Sequence, residues 1–117
     1  MPSPITHFQI LARNPERAAD FYSRLFGWTI SAENAMSYRQ IETGGIPGGI
    51  WPAPPEGHGM VQFFVGVPDV ATALGAAEAA GGKTLMPLQQ LPDGDEMAIL
   101  LDPEGIPFGL VRAPVAG

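Results

Sequence analysis

The sequence feature that most constrains the fold is an internal repeat. Residues 105–110 read GIPFGL, and residues 45–50, sixty positions earlier, read GIPGGI. Further residue pairs share an offset of fifty-five: Phe8 with Phe63, Asn14 with Asp69, Ala18 with Ala73, and Gly27 with Gly82. The offset grows across residues 89–95, which we interpret as a longer loop in the second copy. Self-similarity of this kind predicts two copies of one supersecondary unit.

The first copy is predicted to begin with a strand at residues 5–11. Phe8 and Ile10 fall on one face of this strand, because side chains alternate along a strand, and they are expected to pack against a core. His7 and Gln9 fall on the other face, which we expect to look into a wetter space. The remaining strands of this copy are expected at 28–30, 36–41 and 47–51.

The helix of the first copy carries signals for both of its ends. Asn14 is a favourable N-cap, Pro15 suits the first helical position, and Gly27 is typical of the C-terminal end. The apolar residues between them recur at the spacing of one helix face: Ala18, Phe21, Tyr22 and Leu25. We predict that this stripe faces the core.

The second copy follows the same order of elements. A strand is expected at 60–67, and a helix follows the N-cap Asp69 and ends at Gly81 and Gly82. The core-facing side of this helix is predicted to consist of small residues: Ala73, Ala76, Ala77 and Ala80. Further strands are expected at 83–86, 97–101 and 107–111, the last two joined by the tight turn DPEG at 102–105.

The predicted fold class is α+β, with two tandem βαβββ modules. We expect them to form a curved mixed eight-stranded sheet around a cavity, with the helices on the outer face. A chain of 117 residues is sufficient for one domain with a modest core. The first module is expected at about 4–52, a linker at 53–59, and the second module at about 60–113.

Composition excludes several classes of function. The formal net charge is −6 with six Lys and Arg residues, so the basic surface that nucleic acids and anionic membranes require is not expected. No apolar run reaches the roughly 20 residues of a membrane span, and the start carries no signal-peptide pattern. The chain has no cysteine, which excludes disulfides and thiol chemistry. A cytoplasmic location is the expectation.

Several segments together resemble the vicinal oxygen chelate superfamily, which includes glyoxalases, bleomycin-resistance proteins and extradiol dioxygenases. The matching segments are His7, NPERAADFY at 14–22, FGW at 26–28, AAGG at 79–82 and DPEG at 102–105. The resemblance extends over nearly the whole chain and is greatest to small glyoxalase-like proteins of unassigned function. It implies the fold but not one activity, because lyases, isomerases, dioxygenases and binding proteins share this scaffold.

The resemblance also implies where a metal would bind. In metal-dependent members, the first and fourth strands of each module supply the four ligands. The corresponding residues here are His7, Gly49, Gln62 and Gly109. A divalent transition metal needs at least three imidazole, thiolate or carboxylate ligands, and glycine has no side chain. We therefore expect a degenerate metal site, no metal or other cofactor, and a pocket widened by the two glycines.

The same face is expected to carry a small-molecule site. By alternation along the strands, aromatic and apolar side chains share this face with His7 and Gln62. The predicted ligand-binding residues are His7, Gln9, Trp51, Gln62, Phe64 and Val111. Aromatic walls with a few polar groups are typical of small-molecule pockets. The facing of Tyr38 and Gln40 is left open by the sequence.

Three functional hypotheses follow. The first is a homodimer that binds a small organic molecule without metal. The second is an enzyme of the same superfamily, a lyase, isomerase or dioxygenase, that uses His7 as acid or base or has a divergent metal site. The third is a structural or partner-binding module with a filled cavity. The homodimer is expected because short strands leave sheet edges that symmetric pairing covers.

Overall fold

Each copy of the repeat folds as a strand, a helix and three further strands. The structure is a computed structural model, and it describes residues 2–34, 37–54, 57–90 and 94–112. In chain order the elements are β1 (Ile5–Ala12), α1 (Pro15–Phe26), β2 (Thr29–Ile30), β3 (Arg39–Glu42), β4 (Gly48–Pro52), β5 (Met60–Val67), α2 (Val70–Ala79), β6 (Lys83–Gln90), β7 (Glu96–Leu101) and β8 (Pro107–Arg112). The predicted α+β class and its two βαβββ modules are confirmed.

Contacts within the chain divide it into two compact units. The N-terminal unit is Thr6–Gln62, and the C-terminal unit begins at Phe63 and includes the first five residues. The boundary falls inside β5. The module bounds expected from the sequence stay a prediction, and residues 55 and 56 of the expected linker lie outside the described residues. Within the described residues, no helix is both long and apolar enough to cross a membrane.

The sheet of the N-terminal unit has the strand order β2-β3-β4-β1. Strand β1 runs parallel to β4, with Gln9 opposite Gly49. Strand β3 runs antiparallel to β4, with Gln40 also opposite Gly49. The third strand was expected to begin at Met36, but it begins at Arg39, and Met36 lies outside the described residues. Gly49 therefore lies between two glutamines on the central strands of this unit.

One face of this sheet packs against α1. The buried residues of this core are Ile10, Ala19, Ile41 and Ile50, with Phe8, Tyr22 and Trp28 among those packed against them. Phe8 and Ile10 therefore lie on the packed side of β1, as alternation predicts. The opposite face carries His7 and Gln9.

Both ends of α1 follow the predicted signals. The side chain of Asn14 accepts a hydrogen bond from the Arg17 amide at 3.0 Å, and Pro15 is the first helical residue. Gly27 ends the helix with φ at 71°, and its amide donates to the Ser23 carbonyl at 2.9 Å. A left-handed residue at this position is what glycine accommodates without a steric penalty.

The predicted core stripe of α1 is wrong at two positions. Phe21 is 57% exposed and Leu25 is 58% exposed, whereas Ala19 is buried and Tyr22 contacts the core. The Tyr22 ring stacks on Trp28 at 5.7 Å between centroids. This contact turns the Tyr22 side of the helix toward the sheet, and the small Ala19 allows the approach. Phe21 and Leu25 then fall on the solvent side.

The solvent side of α1 is consequently an apolar surface with charged edges. A shallow groove of about 450 Å³ lies on it, lined by Arg17, Asp20, Phe21, Arg24 and Leu25. Arg24 and Asp20 form an exposed ion pair at 2.9 Å. Apolar patches of this kind are common where proteins associate. The surface is compatible with the homodimer expected from the sequence, which stays a prediction.

The sheet of the C-terminal unit has the order β5-β8-β7-β6, with β5 parallel to β8. Helix α2 begins after Asp69, whose side chain accepts a hydrogen bond from the Thr72 amide at 3.3 Å. The residues of α2 that meet the core are Val70, Ala73, Leu74 and Ala77. The prediction that Ala76 and Ala80 face the core is wrong, because both are exposed. The true stripe has the same helical spacing but starts at Val70.

Strand β6 is longer than the sequence indicates. It was expected to end at Met86, but it continues to Gln90, and Gln89 and Gln90 pair with β7. The expected loop at 89–95 is wrong at these two residues, and residues 91–93 of that loop lie outside the described residues. Register shifts on both sides of Met86 accommodate Pro87, which has no amide proton to donate.

The two aromatic residues at adjacent positions of α1 provide a test of this arrangement. We expect Phe21→Ala to lower the free energy of unfolding by about 0.5 kcal/mol or less, because its ring is mostly exposed. Tyr22→Ala should cost about 2 kcal/mol or more, because it removes a ring packed on the core. Urea denaturation at low protein concentration measures both values. Equal losses for the two variants would contradict the described rotation of α1.

Candidate functional site

The N-terminal unit contains a cleft at the end of its sheet where β1 and β4 begin and β3 ends. Its volume is about 320 Å³. It is lined by Thr6, His7, Tyr38, Gln40, Ile41, Glu42, Pro47 and Gly48. The starts of β1 and β4 and most of β3 form its walls. The question left open by the sequence is thereby answered, because both Tyr38 and Gln40 line the cleft.

His7 is the imidazole of this cleft. It is half-buried, and its Nδ1 lies 2.9 Å from the Thr6 hydroxyl oxygen. Burial lowers the pKa of His7 below its ordinary value of about 6.5, because desolvation disfavours the charged imidazolium. At neutral pH His7 is therefore an uncharged imidazole. A neutral imidazole can accept a hydrogen bond or a proton from a bound molecule.

The aromatic wall of the cleft is Tyr38. Its ring centroid lies 4.6 Å from that of Trp51, and its hydroxyl donates a long hydrogen bond of 3.4 Å to the Gly48 carbonyl. Burial raises the pKa of Tyr38 above its ordinary value of about 10, so the phenol stays protonated at neutral pH. Packing on Trp51 orders the ring.

The space above Gly49 is occupied by this same ring. A Cβ atom at position 49 would overlap the hydroxyl and ring atoms of Tyr38. The expectation that Gly49 widens the pocket is therefore wrong. Glycine is needed here because a neighbouring side chain lies directly on the strand backbone. Any carboxylate at this position would require Tyr38 to move.

The C-terminal unit repeats this arrangement with a different strand. Phe64 of β5 lies opposite Gly109 of β8 and is fully buried. A Cβ atom at Gly109 would overlap the Phe64 ring. By the repeat, Phe64 corresponds to Gln9, which lies opposite Gly49. The covering ring therefore comes from the first strand of one copy and, in the other copy, from the residue just before the third strand.

The other predicted site residues have different surroundings. Gln9 and Trp51 are half-buried and lie in the N-terminal unit with the cleft. Gln62 is buried and its amide donates to the Met60 sulfur at 3.4 Å. Val111, with Phe64, belongs to the C-terminal unit, where it lies opposite Gly66 and Met97. Of the six predicted ligand-binding residues, His7 is the one that lines the cleft.

Glu42 is a cleft residue that the sequence reading missed. The sequence predicts that the third strand ends at Ile41, one residue before Glu42. In the structure β3 continues through Glu42, and alternation places it on the same face as Gln40 and Tyr38. The signal was present as polar residues at every second position from 38 to 42.

Metal-ligating side chains do not converge in the described part of the chain. No group of three or more His, Cys, Asp or Glu side chains there could hold a metal ion. Among the four positions that the resemblance implies, His7 is the only side chain that ligates transition metals well. The Tyr38 ring also occupies the space in front of Gly49. The side chains of the described residues therefore do not fit a divalent metal.

Comparison with known proteins gives a consistent family relationship. A family model described as a glyoxalase-like domain matches residues 7–111. No curated protein matches the chain. A hypothetical protein from Bacillus halodurans C-125 has a similar structure, with a TM-score of 0.73, 12% identity, and coverage of 100% of this chain and 99% of that chain.

Two further solved structures are similar. A glyoxalase/bleomycin resistance protein/dioxygenase superfamily member from Vibrio splendidus 12B01 has a TM-score of 0.72 and 13% identity, with 96% of this chain and 100% of that chain covered. A methylmalonyl-CoA epimerase from Mycobacterium tuberculosis has a TM-score of 0.68 and 14% identity, with 94% and 88% covered. At these identities the likeness shows the fold alone.

The environment of His7 predicts a pH dependence of stability. Because the pKa of His7 is lower in the folded protein, the His7 imidazole of the unfolded chain is protonated first as the pH falls. The contribution of His7 to the free energy of unfolding is therefore complete above about pH 6.5. It is lost as the pH falls from there toward the lower pKa of His7 in the folded protein. We expect His7→Gln to reduce the fall in unfolding free energy over that interval, measured by urea denaturation.

The matched control is His58→Gln, since His58 is exposed and the chain has two histidines. This variant should keep the full pH dependence of the wild type. A wild-type slope that survives His7→Gln but disappears in His58→Gln would contradict the described burial of His7.

Proposed function

The chain belongs to the glyoxalase-like domain family, and we propose that it binds a small organic molecule, without a divalent metal, in the cleft of its N-terminal unit. The observation that carries this proposal is the position of Tyr38. Its ring takes the space above Gly49 and forms a wall of the cleft next to His7. The site thus has an aromatic surface where metal-dependent members of the superfamily have a ligand.

The chemistry of the cleft favours a ligand of modest size. Small-molecule pockets are typically roughly 300–1,000 Å³, apolar for the most part, with a few polar groups that orient the ligand. A cleft of about 320 Å³ suits a molecule of about one ring. Pro47 and the Tyr38 ring supply apolar contact, whereas His7 and Gln40 supply hydrogen-bonding groups.

The metal-free part of the proposal rests on the ligand set. A single imidazole holds a hydrated divalent ion weakly, and the amide of Gln62 is a poor ligand for zinc or nickel. That amide also donates to the Met60 sulfur. Two glycines contribute no negative charge that would offset the ion in a partly buried site.

A second candidate function is metal-free proton transfer by His7. The half-buried neutral imidazole favours it, because a base must be unprotonated at the working pH. The Thr6 hydroxyl at 2.9 Å from Nδ1 would orient the ring. The epimerase among the similar structures is named for methylmalonyl-CoA, which makes an acidic C–H bond next to a carbonyl a reasonable probe of this chemistry.

Binding is tested with the intrinsic fluorescence of Trp51. The Trp28→Phe variant leaves Trp51 as the only tryptophan, and Trp51 packs on the cleft residue Tyr38. We expect at least one molecule from a library of one-ring compounds to change its emission and to raise the melting temperature, saturably. His7→Ala should weaken that binding, whereas His58→Ala should not. A library without any saturable response would favour a filled-cavity, structural role.

Proton transfer is tested by isotope exchange in D₂O. If His7 is a catalytic base, the protein should accelerate deuterium incorporation next to a carbonyl in a panel of thioesters and keto acids that includes methylmalonyl-CoA, followed by proton NMR. His7→Gln should abolish the acceleration, because an amide cannot take up the proton. His58→Gln should retain it. Acceleration that survives His7→Gln would rule out this role.

A further inference from the structure

The residues that line the cleft carry negative charge and no positive charge. Among the eight lining residues, Glu42 is the only carboxylate, and none is lysine or arginine. Burial lowers the pKa of His7 and raises that of Tyr38, so both side chains are neutral at pH 7. Among these lining residues, the one side chain with a formal charge is therefore that of Glu42, which is exposed at the end of β3.

The nearest cation in the sequence does not offset this charge across the cleft. Arg39 lies between Tyr38 and Gln40 on β3, and alternation places its side chain on the opposite face of the strand. Arg39 lies opposite Ile50, which belongs to the core between the sheet and α1. The chain as a whole carries a net charge of −6, which attracts cations and repels anions at a distance.

The aromatic wall, Tyr38, also favours a positively charged ligand. An aromatic ring attracts a cation placed over its face, by about 0.5–2 kcal/mol depending on solvation. Packing of Tyr38 on Trp51 and over Gly49 orders its ring, which reduces the side-chain entropy that a ligand contact costs. The acceptors in the cleft, the carboxylate of Glu42 and the neutral imidazole of His7, match an N–H donor.

We propose that the ligand of this cleft is an organic amine in its ammonium form, with an aromatic or apolar body, whose cation lies between the Glu42 carboxylate and the Tyr38 ring. This inference rests on the proposed function, because it names the class of molecule for the same cleft. Carboxylate and phosphate ligands are excluded by it, since they would face Glu42 without a neutralising cation.

Three probes of similar shape and different charge test the inference: phenethylamine, phenethyl alcohol and phenylacetate. Titration calorimetry at pH 7 should give an affinity for the amine at least about tenfold higher than for the alcohol, as expected for a charge-assisted hydrogen bond. Phenylacetate should show no binding. Raising the salt concentration should weaken binding of the amine and leave that of the alcohol unchanged.

The variant Glu42→Gln should bring the amine affinity down to that of the alcohol, while Glu104→Gln should not change it. Glu104 lies in the exposed turn between β7 and β8, outside the cleft-lining residues. Circular dichroism and the melting temperature check that both variants are folded. If Glu42→Gln does not fold, the salt dependence of the wild type decides, and an affinity for the amine that is independent of salt overturns the inference.

The inference is also overturned if the alcohol or phenylacetate binds as tightly as the amine, or if Glu42→Gln keeps the preference for the amine. The absence of binding by all three probes overturns it as well. The proposed function fails separately, when no compound of the wider one-ring library gives a saturable response in the Trp51 experiment.

Discussion

In each unit, an aromatic ring packs directly on a strand glycine and occupies the space in front of it. Tyr38 covers Gly49 in one unit and Phe64 covers Gly109 in the other, and neither glycine could carry a Cβ atom without displacing the ring. The two glycines are the positions where the resemblance to metal-dependent relatives implies carboxylate ligands. At both positions the ring therefore occupies the space that a side chain on the glycine would need.

Sequence reasoning succeeded where a local signal and the repeat agreed. Asn14, Pro15 and Gly27 predicted the two ends of α1, and the repeat predicted the same order of elements in both copies, as observed. The prediction was wrong where a contact with another element determined which side of a helix faces the core. Periodicity alone could not show that Trp28 would draw Tyr22 to the core and leave Phe21 exposed.

The sequence predicted only the part of the candidate site that depends on local alternation along a strand. His7 was placed correctly on the less apolar face of β1, because alternation is a local property. Glu42 was missed because strand ends depend on pairing with a neighbour, here β2, which places Thr29 opposite Glu42. The filling of the space above Gly49 was also missed, since the position of the Tyr38 ring depends on Trp51. Burial then keeps both His7 and Tyr38 uncharged, so the character of the cleft depends on Glu42.

We propose that the cleft of the N-terminal unit holds an organic molecule and no divalent metal. Native mass spectrometry of the untagged protein, purified from cells without added ligand, tests it most directly. We expect the chain to carry an organic adduct, released on denaturation, and no zinc, nickel or iron. A near-stoichiometric transition metal that is lost in His7→Ala would rule out metal-free binding.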